Sequence, residues 1–172
     1  VYKRQVQLMK RKKFPNKQSS SWLFLTVLLL TSSVAESFDA DREQRIASQT
    51  LQTLFLGEPI WLKQDNSGQS FLGLITSSDK NNYTILMIHG TGQGPDTPYV
   101  IGPLREFLSE SGFGTLSIQM PVLSDDENYD NYMKEFAESR RRIGEWVKLL
   151  RETNPNSKIV ILGHSMGSTM LM

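Results

Sequence analysis

The apolar run Lys158-Ile159-Val160-Ile161-Leu162 ends abruptly in Gly163-His164-Ser165-Met166-Gly167. Gly-x-Ser-x-Gly after a strand is the turn that lifts a serine hydroxyl off the end of a sheet, in a strained backbone conformation, as a nucleophile. Gly163 and Gly167 flank Ser165 by two residues on either side, where a Cβ would crowd strand against helix. Small Ser168 lets the following helix approach. The competing reading is an ordinary glycine-rich turn, which has no need of the β-branched run before the motif or the helix-compatible stretch after it. A serine nucleophile works with a histidine base and an acid that orients the base. In this topology both follow the nucleophile, and Met172 is the last residue given. The chain is therefore expected to be the N-terminal part of a domain, and by itself inactive.

A second constellation, Ile88-His89-Gly90-Thr91-Gly92-Gln93-Gly94, follows another apolar run. Three glycines in so short a loop allow backbone N–H groups to converge on one point, as an oxyanion requires. A phosphate cradle would need Gly-x-x-x-x-Gly-Lys-Ser/Thr, which is absent, and the Gly90-x-Gly92-x-Gly94 spacing lacks the dinucleotide fingerprint. His164 is expected to pack within the strand-to-helix turn, and His89 to hydrogen-bond the glycine loop.

These residues need a scaffold. Asp39 to Gly57 reads as a helix with Asp39 as cap, Ile46, Leu51, Leu54 and Phe55 at helical spacing, and Gly57 as terminator. Glu58–Lys63 and Phe71–Thr76 read as an antiparallel hairpin around Asp65-Asn66-Ser67-Gly68. Tyr83–Ile88 is a near-continuous apolar strand, as burial on both faces demands. Thr97 as cap and Pro98 at the first position predict a helix with Val100, Leu104 and Leu108 on one stripe, ending near Gly112. Phe113–Ile118 predicts a strand and Pro121–Tyr129 an acidic loop. Asn131–Thr153 predicts a long amphipathic helix with Met133, Phe136, Ile143, Trp146, Val147 and Leu150 inward, closed by Asn154-Pro155-Asn156. On it, Arg140-Arg141-Arg142 lies near Glu135, Glu138 and Glu145 and reads as a solvated face. Lys158–Leu162 is the last strand. This alternation predicts an α/β fold, a mostly parallel sheet with crossover helices.

The order of motifs, His-Gly after one buried strand and Gly-His-Ser-Met-Gly after a later one, resembles the α/β-hydrolase family over roughly residues 58–172. The stretches Val100-Ile101-Gly102-Pro103-Leu104-Arg105 and Thr115–Leu123 are similar to an exported bacterial branch of that family with no assigned activity. The resemblance implies Ser165 as nucleophile, with the backbone N–H groups of Thr91 and Met166 as oxyanion hole and His89, Gly90, Gly163 and Gly167 in support. It also implies a histidine base after the last strands, so His89 is not read as the base, nor Asp96, Asp125 or Asp126 as the triad acid. The implied activity is hydrolysis of an ester or related acyl bond in a small-molecule or lipid-like substrate through an acyl-enzyme. The alternative is a non-catalytic binding protein of the same fold. No metal, nucleotide or flavin cofactor is expected.

Charge is segregated along the chain. Residues 1–35 hold seven of the 19 Lys/Arg and no acid, leaving twelve basic against eighteen acidic residues over 36–172. A mildly acidic body gives no reason to expect nucleic-acid binding. The basic head precedes the nine-residue apolar run Trp22–Leu30 and the small residues Ser33 and Ala35. That order is a secretory signal, with a core well short of the about 20 residues of a spanning helix. Translation is expected to start at Met9 or at an unusual codon read as Val1. Residues 36–57 then form an N-terminal helix, and 58–172 the partial hydrolase domain. Cleavage after Ala35 predicts a periplasmic or secreted protein; retention of the segment would leave it anchored in the inner membrane. Lipidation on cysteine is excluded, since the chain has none, and a core without disulfides fits a periplasmic domain. Mass spectrometry of the mature protein from a bacterial host is expected to find Glu36 at its N-terminus; an intact leader in the membrane fraction would favour the anchor.

Overall fold

The computed structural model describes residues 38–63 and 69–172. The expected signal segment, residues 36 and 37, and the Asp65–Gly68 turn lie outside the described residues. The described elements are helix α1 (Ala40–Thr53), strands β1 (Glu58–Lys63), β2 (Ser70–Thr76) and β3 (Tyr83–Ile88), and helix α2 (Ile101–Glu110). They continue with β4 (Gly114–Ile118), a 3₁₀ segment (Tyr129–Glu135), α3 (Phe136–Thr153), β5 (Lys158–Gly163) and the short α4 (Met166–Thr169). All five strands join one sheet in the order β1-β2-β4-β3-β5. β1 and β2 pair antiparallel, β2 meets β4 antiparallel, and β4, β3 and β5 run parallel.

The period-two alternation of the strands divides the core between the two faces. Leu86 and Ile88 of β3, with Leu116 and Ile118 of β4 and Phe71 of β2, face Ile143, Trp146 and Leu150 of α3. On the opposite face, Ile85 and Met87 pack with Ile101, Leu104 and Leu108 of α2. There too Leu72 and Leu74 meet Ala47 of α1. β5 stands at the sheet edge, and Val160 and Ile161 on it are exposed.

The structure moves several expected boundaries and faces. α1 ends at Thr53, so Phe55 lies beyond it and is 91% exposed, and Leu51 is exposed as well. Its buried residues are Glu43, Ala47 and Thr50. Thr97 caps no helix: its hydroxyl donates to the Gly94 carbonyl (2.8 Å) and accepts from the Gly94 N–H, closing a turn, while α2 begins at Ile101. The expected helix start at Asn131 is a 3₁₀ segment, whose tighter winding turns Tyr132 inward and leaves Met133 62% exposed.

Trp146 fills the middle of the α3 face, stacking edge-on against Phe71 at 6.0 Å. It occupies the space that a side chain at position 73 would need, since a Cβ on Gly73 would stand 2.4 Å from the indole ring. Gly73→Ala is expected to destabilise the protein by about 1–3 kcal/mol through overpacking, read as a lower urea midpoint.

Candidate functional site

The registers of β3 and β5 bring the two sequence motifs together. Ile88 pairs directly with Gly163, and the His164 N–H extends the ladder to the Ile88 carbonyl (3.0 Å). The glycine loop after β3 and the serine turn after β5 therefore leave the sheet side by side. An added Cβ at Gly90 would lie 3.1 Å from the Ser165 Cβ, so loop and serine are in direct contact.

Ser165 has φ 55° and ψ −125°, and among the described residues no other non-glycine residue has a positive φ. Such a conformation costs on the order of 1–3 kcal/mol and persists only where its surroundings impose it. Here the surroundings are short backbone contacts. A Cβ at Gly163 would stand 2.7 Å from the Gly167 carbonyl oxygen and from Ser168 backbone atoms, and one at Gly167 would stand 2.6 Å from the His89 and Ile88 carbonyl oxygens. The Ser168 hydroxyl adds a bond to the Gly163 carbonyl (2.8 Å), a staple beyond the small size for which that position was singled out. Met166 anchors the turn with its side chain in the core, and Ser165 is exposed. Among the described residues, neither the Met166 nor the Thr91 backbone N–H is taken by another hydrogen bond. The Thr91 hydroxyl is buried without a partner among them.

His89 is buried beneath the glycine loop. The Met120 N–H donates to its Nε2 (3.0 Å), which leaves the ring proton on Nδ1 to be donated to the Gly90 carbonyl (2.8 Å). The Gln119 amide nitrogen lies 3.2 Å from the same Nε2 and donates to the Met120 carbonyl. Burial, with the Arg142 charge adding to it against the bond to Gly90, pushes the imidazole pKa down to about 4. The ring is a neutral strut and is not free to accept a proton from Ser165. His164 is partly exposed, and its Nδ1 is buried without a partner among the described residues. Asp96 pairs with the buried Arg105, which also donates to the Leu56 carbonyl (2.7 Å). Asp125 pairs with Arg42 at the surface. No group of three or more His, Asp or Glu among the described residues is arranged to hold a metal ion, and no helix among them is long and apolar enough to cross a membrane.

Of the arginine run read as a solvated face, Arg140 is exposed and Arg141 partly so, but Arg142 departs from that reading. Arg142 is 1% exposed. It donates to Glu43 of α1 (2.8 and 3.3 Å) and to Glu138 (2.8 Å), and its guanidinium lies 4.9 Å from the ring centres of both Phe38 and Phe71. Burial pushes the Glu43 carboxyl up, and Arg142 and the Val122 N–H work against that rise. A helical run of Arg with acids three and four residues away gives no sign of a partner at position 43.

Because the folded His89 ring stays neutral down to about pH 4, the unfolded chain binds an extra proton between that pH and the ordinary value of 6.5. Stability from this group is fully present above pH 6.5 and is lost as the pH falls to about 4, by on the order of 3 kcal/mol. Urea melts across that window should show the wild-type advantage over His89→Gln shrinking by about that amount; a constant gap would contradict a buried neutral ring.

Solved structures share this architecture. The Pyrococcus furiosus esterase Pf2001 matches with a TM-score of 0.51 and 21% identity, over 70% of this chain and 44% of the esterase chain. An alpha-beta serine hydrolase homologue from Coxiella burnetii matches with a TM-score of 0.49 and 16% identity, over 68% of this chain and 56% of that one. Dienelactone hydrolase from Anabaena variabilis gives 0.48 and 18%, over 66% and 51%. The match to the esterase shows the α/β-hydrolase fold, and the chain spans less than half the length of that esterase. No curated protein matches it. The model of one family matches residues 31–140, which include α1 and the glycine loop and stop short of the serine turn. The chain belongs to that family, described as Protein of unknown function (DUF3530).

Proposed function

We infer that this chain carries the nucleophile and oxyanion hole of a serine hydrolase of the esterase or lipase type. The observation that carries the reading is the strained φ of 55° at Ser165, held by backbone contacts against the loop that begins at Gly90. Strain at a single exposed serine has no packing benefit to explain it, whereas a nucleophile must stand clear of the sheet.

In this reading the Ser165 hydroxyl attacks the carbonyl of an ester or related acyl group, in a small-molecule or lipid-like substrate. The N–H groups of Thr91 and Met166 take the developing negative charge, and the acyl group passes to the serine oxygen as the alcohol leaves. The base that accepts the serine proton is not His89, whose two ring nitrogens are committed. The reading requires a further histidine as base and an acid that orients it. The basic head and short apolar run of residues 1–35 support export to the bacterial cell envelope.

In the complete protein, Ser165→Ala is expected to abolish labelling by a fluorophosphonate probe and to lower ester hydrolysis by several orders of magnitude. Thr91→Pro removes one oxyanion donor and should cost about 10²–10³ in turnover with labelling retained at a reduced rate. A wild-type protein inert to the probe and to a broad panel of acyl esters would instead favour a non-catalytic binding protein of the same fold.

A further inference from the structure

The buried ion pair between α1 and α3 grips both ends of one short segment. Arg142 Nη1 donates to the Gln119 carbonyl (3.4 Å), and Glu43 Oε1 accepts from the Val122 N–H (3.1 Å). The same two side chains are bound to each other at 2.8 Å. Between the gripped ends, the Met120 N–H is aimed at His89 Nε2 and the Gln119 amide lies against it. The other nitrogen of that ring holds the Gly90 carbonyl, and Gly90 touches Ser165.

A buried ion pair is a poor source of stability, because desolvation offsets its attraction and apolar residues of similar size often do as well. The pair here is further enclosed by Phe38 and Phe71. Its directional bonds, by contrast, fix the orientation of peptide groups in a way that apolar side chains cannot. Two peptide groups, those at Gln119 and Val122, receive those bonds, and Met120 between them orients His89.

We propose that Glu43 and Arg142 are positioning residues for the oxyanion loop, acting through Gln119–Val122 and the His89 ring. This rests on the reading of His89–Gly94 as that loop. Small displacements of such a loop matter, because a misplacement of about 1 Å can cost about 100-fold in rate.

The test replaces the pair by apolar residues, Glu43→Leu with Arg142→Met, in the complete protein, and reads three quantities. The melting temperature should stay within a few degrees of wild type. Turnover of an acyl ester should fall by about tenfold or more with KM within about twofold, the pattern of a lost transition-state interaction. Nitrogen-15 NMR should show the protected His89 Nδ1–H of the wild type exchanging rapidly or lost. Glu145→Gln, whose carboxylate pairs with Arg141 and touches neither member of the buried pair, is the control and should alter neither turnover nor the His89 signal. Should the double variant fail to fold, Glu43→Gln removes the charge while keeping the shape, and the same losses are expected in smaller degree. A folded variant that keeps both turnover and the Nδ1–H signal overturns the proposal. If the wild type hydrolyses no ester and ignores the fluorophosphonate probe, the enzymatic reading fails, and the NMR arm alone decides whether the pair positions His89.

Discussion

The pairing of Ile88 with Gly163 is the constraint from which the site follows. Parallel strands β3 and β5 end at the same level, so two chain segments that are distant in sequence leave the sheet at one point. Had β5 slipped by one residue, its side chains would change faces and the serine turn would start at a different height beside the glycine loop. The register is held by β5's own alternation, with Ile159 packed in the cluster of Leu86 and Ile88 on the α3 face and Leu162 in that of Ile85 and Met87 on the α2 face. Packing on both faces therefore determines where a single hydroxyl stands.

A second level of control lies beyond the end of β4. The segment Gln119–Leu123 runs between α1 and α3 and exchanges its polar groups with both. Asp39 and Glu43 engage Val122, Arg42 engages Leu123, and the Tyr132 hydroxyl accepts from the Leu123 N–H (3.1 Å). Past the Gln119 N–H, which bonds the Leu72 carbonyl of β2 (2.7 Å), the backbone of that segment has no strand to pair with, and buried peptide groups require partners. Glu43 and Arg42 of α1 and Arg142 of α3 provide them, together with His89, Tyr132 and the Asp39 N–H. That is why α1 buries Glu43 along with Ala47 on its inward face.

Much of this was legible in the sequence because it is local. The steric demands of Gly163, Ser165 and Gly167 lie within five residues, and the apolar run of β3 announces burial without reference to any partner, whereas the similar run of β5 stands at an edge with Val160 and Ile161 exposed. Capping of α1 by Asp39 is equally local, with its carboxylate accepting from the Arg42 N–H (2.8 Å). What escaped was set by tertiary partners. Helical spacing continued to Phe55 on paper, but the chain leaves the helix after Thr53. Thr97 and Pro98 look like a helix start, yet the hydroxyl is used on Gly94. Arg142 sits among acids at three and four residues, which is the pattern of a wet surface, and its decisive partner lies on a different helix. Met133 was misplaced because the winding there is 3₁₀, which rotates the inward position onto Tyr132.

The separation of Glu43 from Arg142 is 99 residues. Closing so long a stretch of chain is entropically costly, and contacts of this kind form late relative to neighbouring ones. On a chain that emerges from its N-terminus, Ala47 of α1 can dock early on Leu72 and Leu74 of β2, but Glu43 has no partner until α3 has appeared. The ion pair thus closes late, and its hold on the segment beneath the glycine loop is made only once α3 has packed.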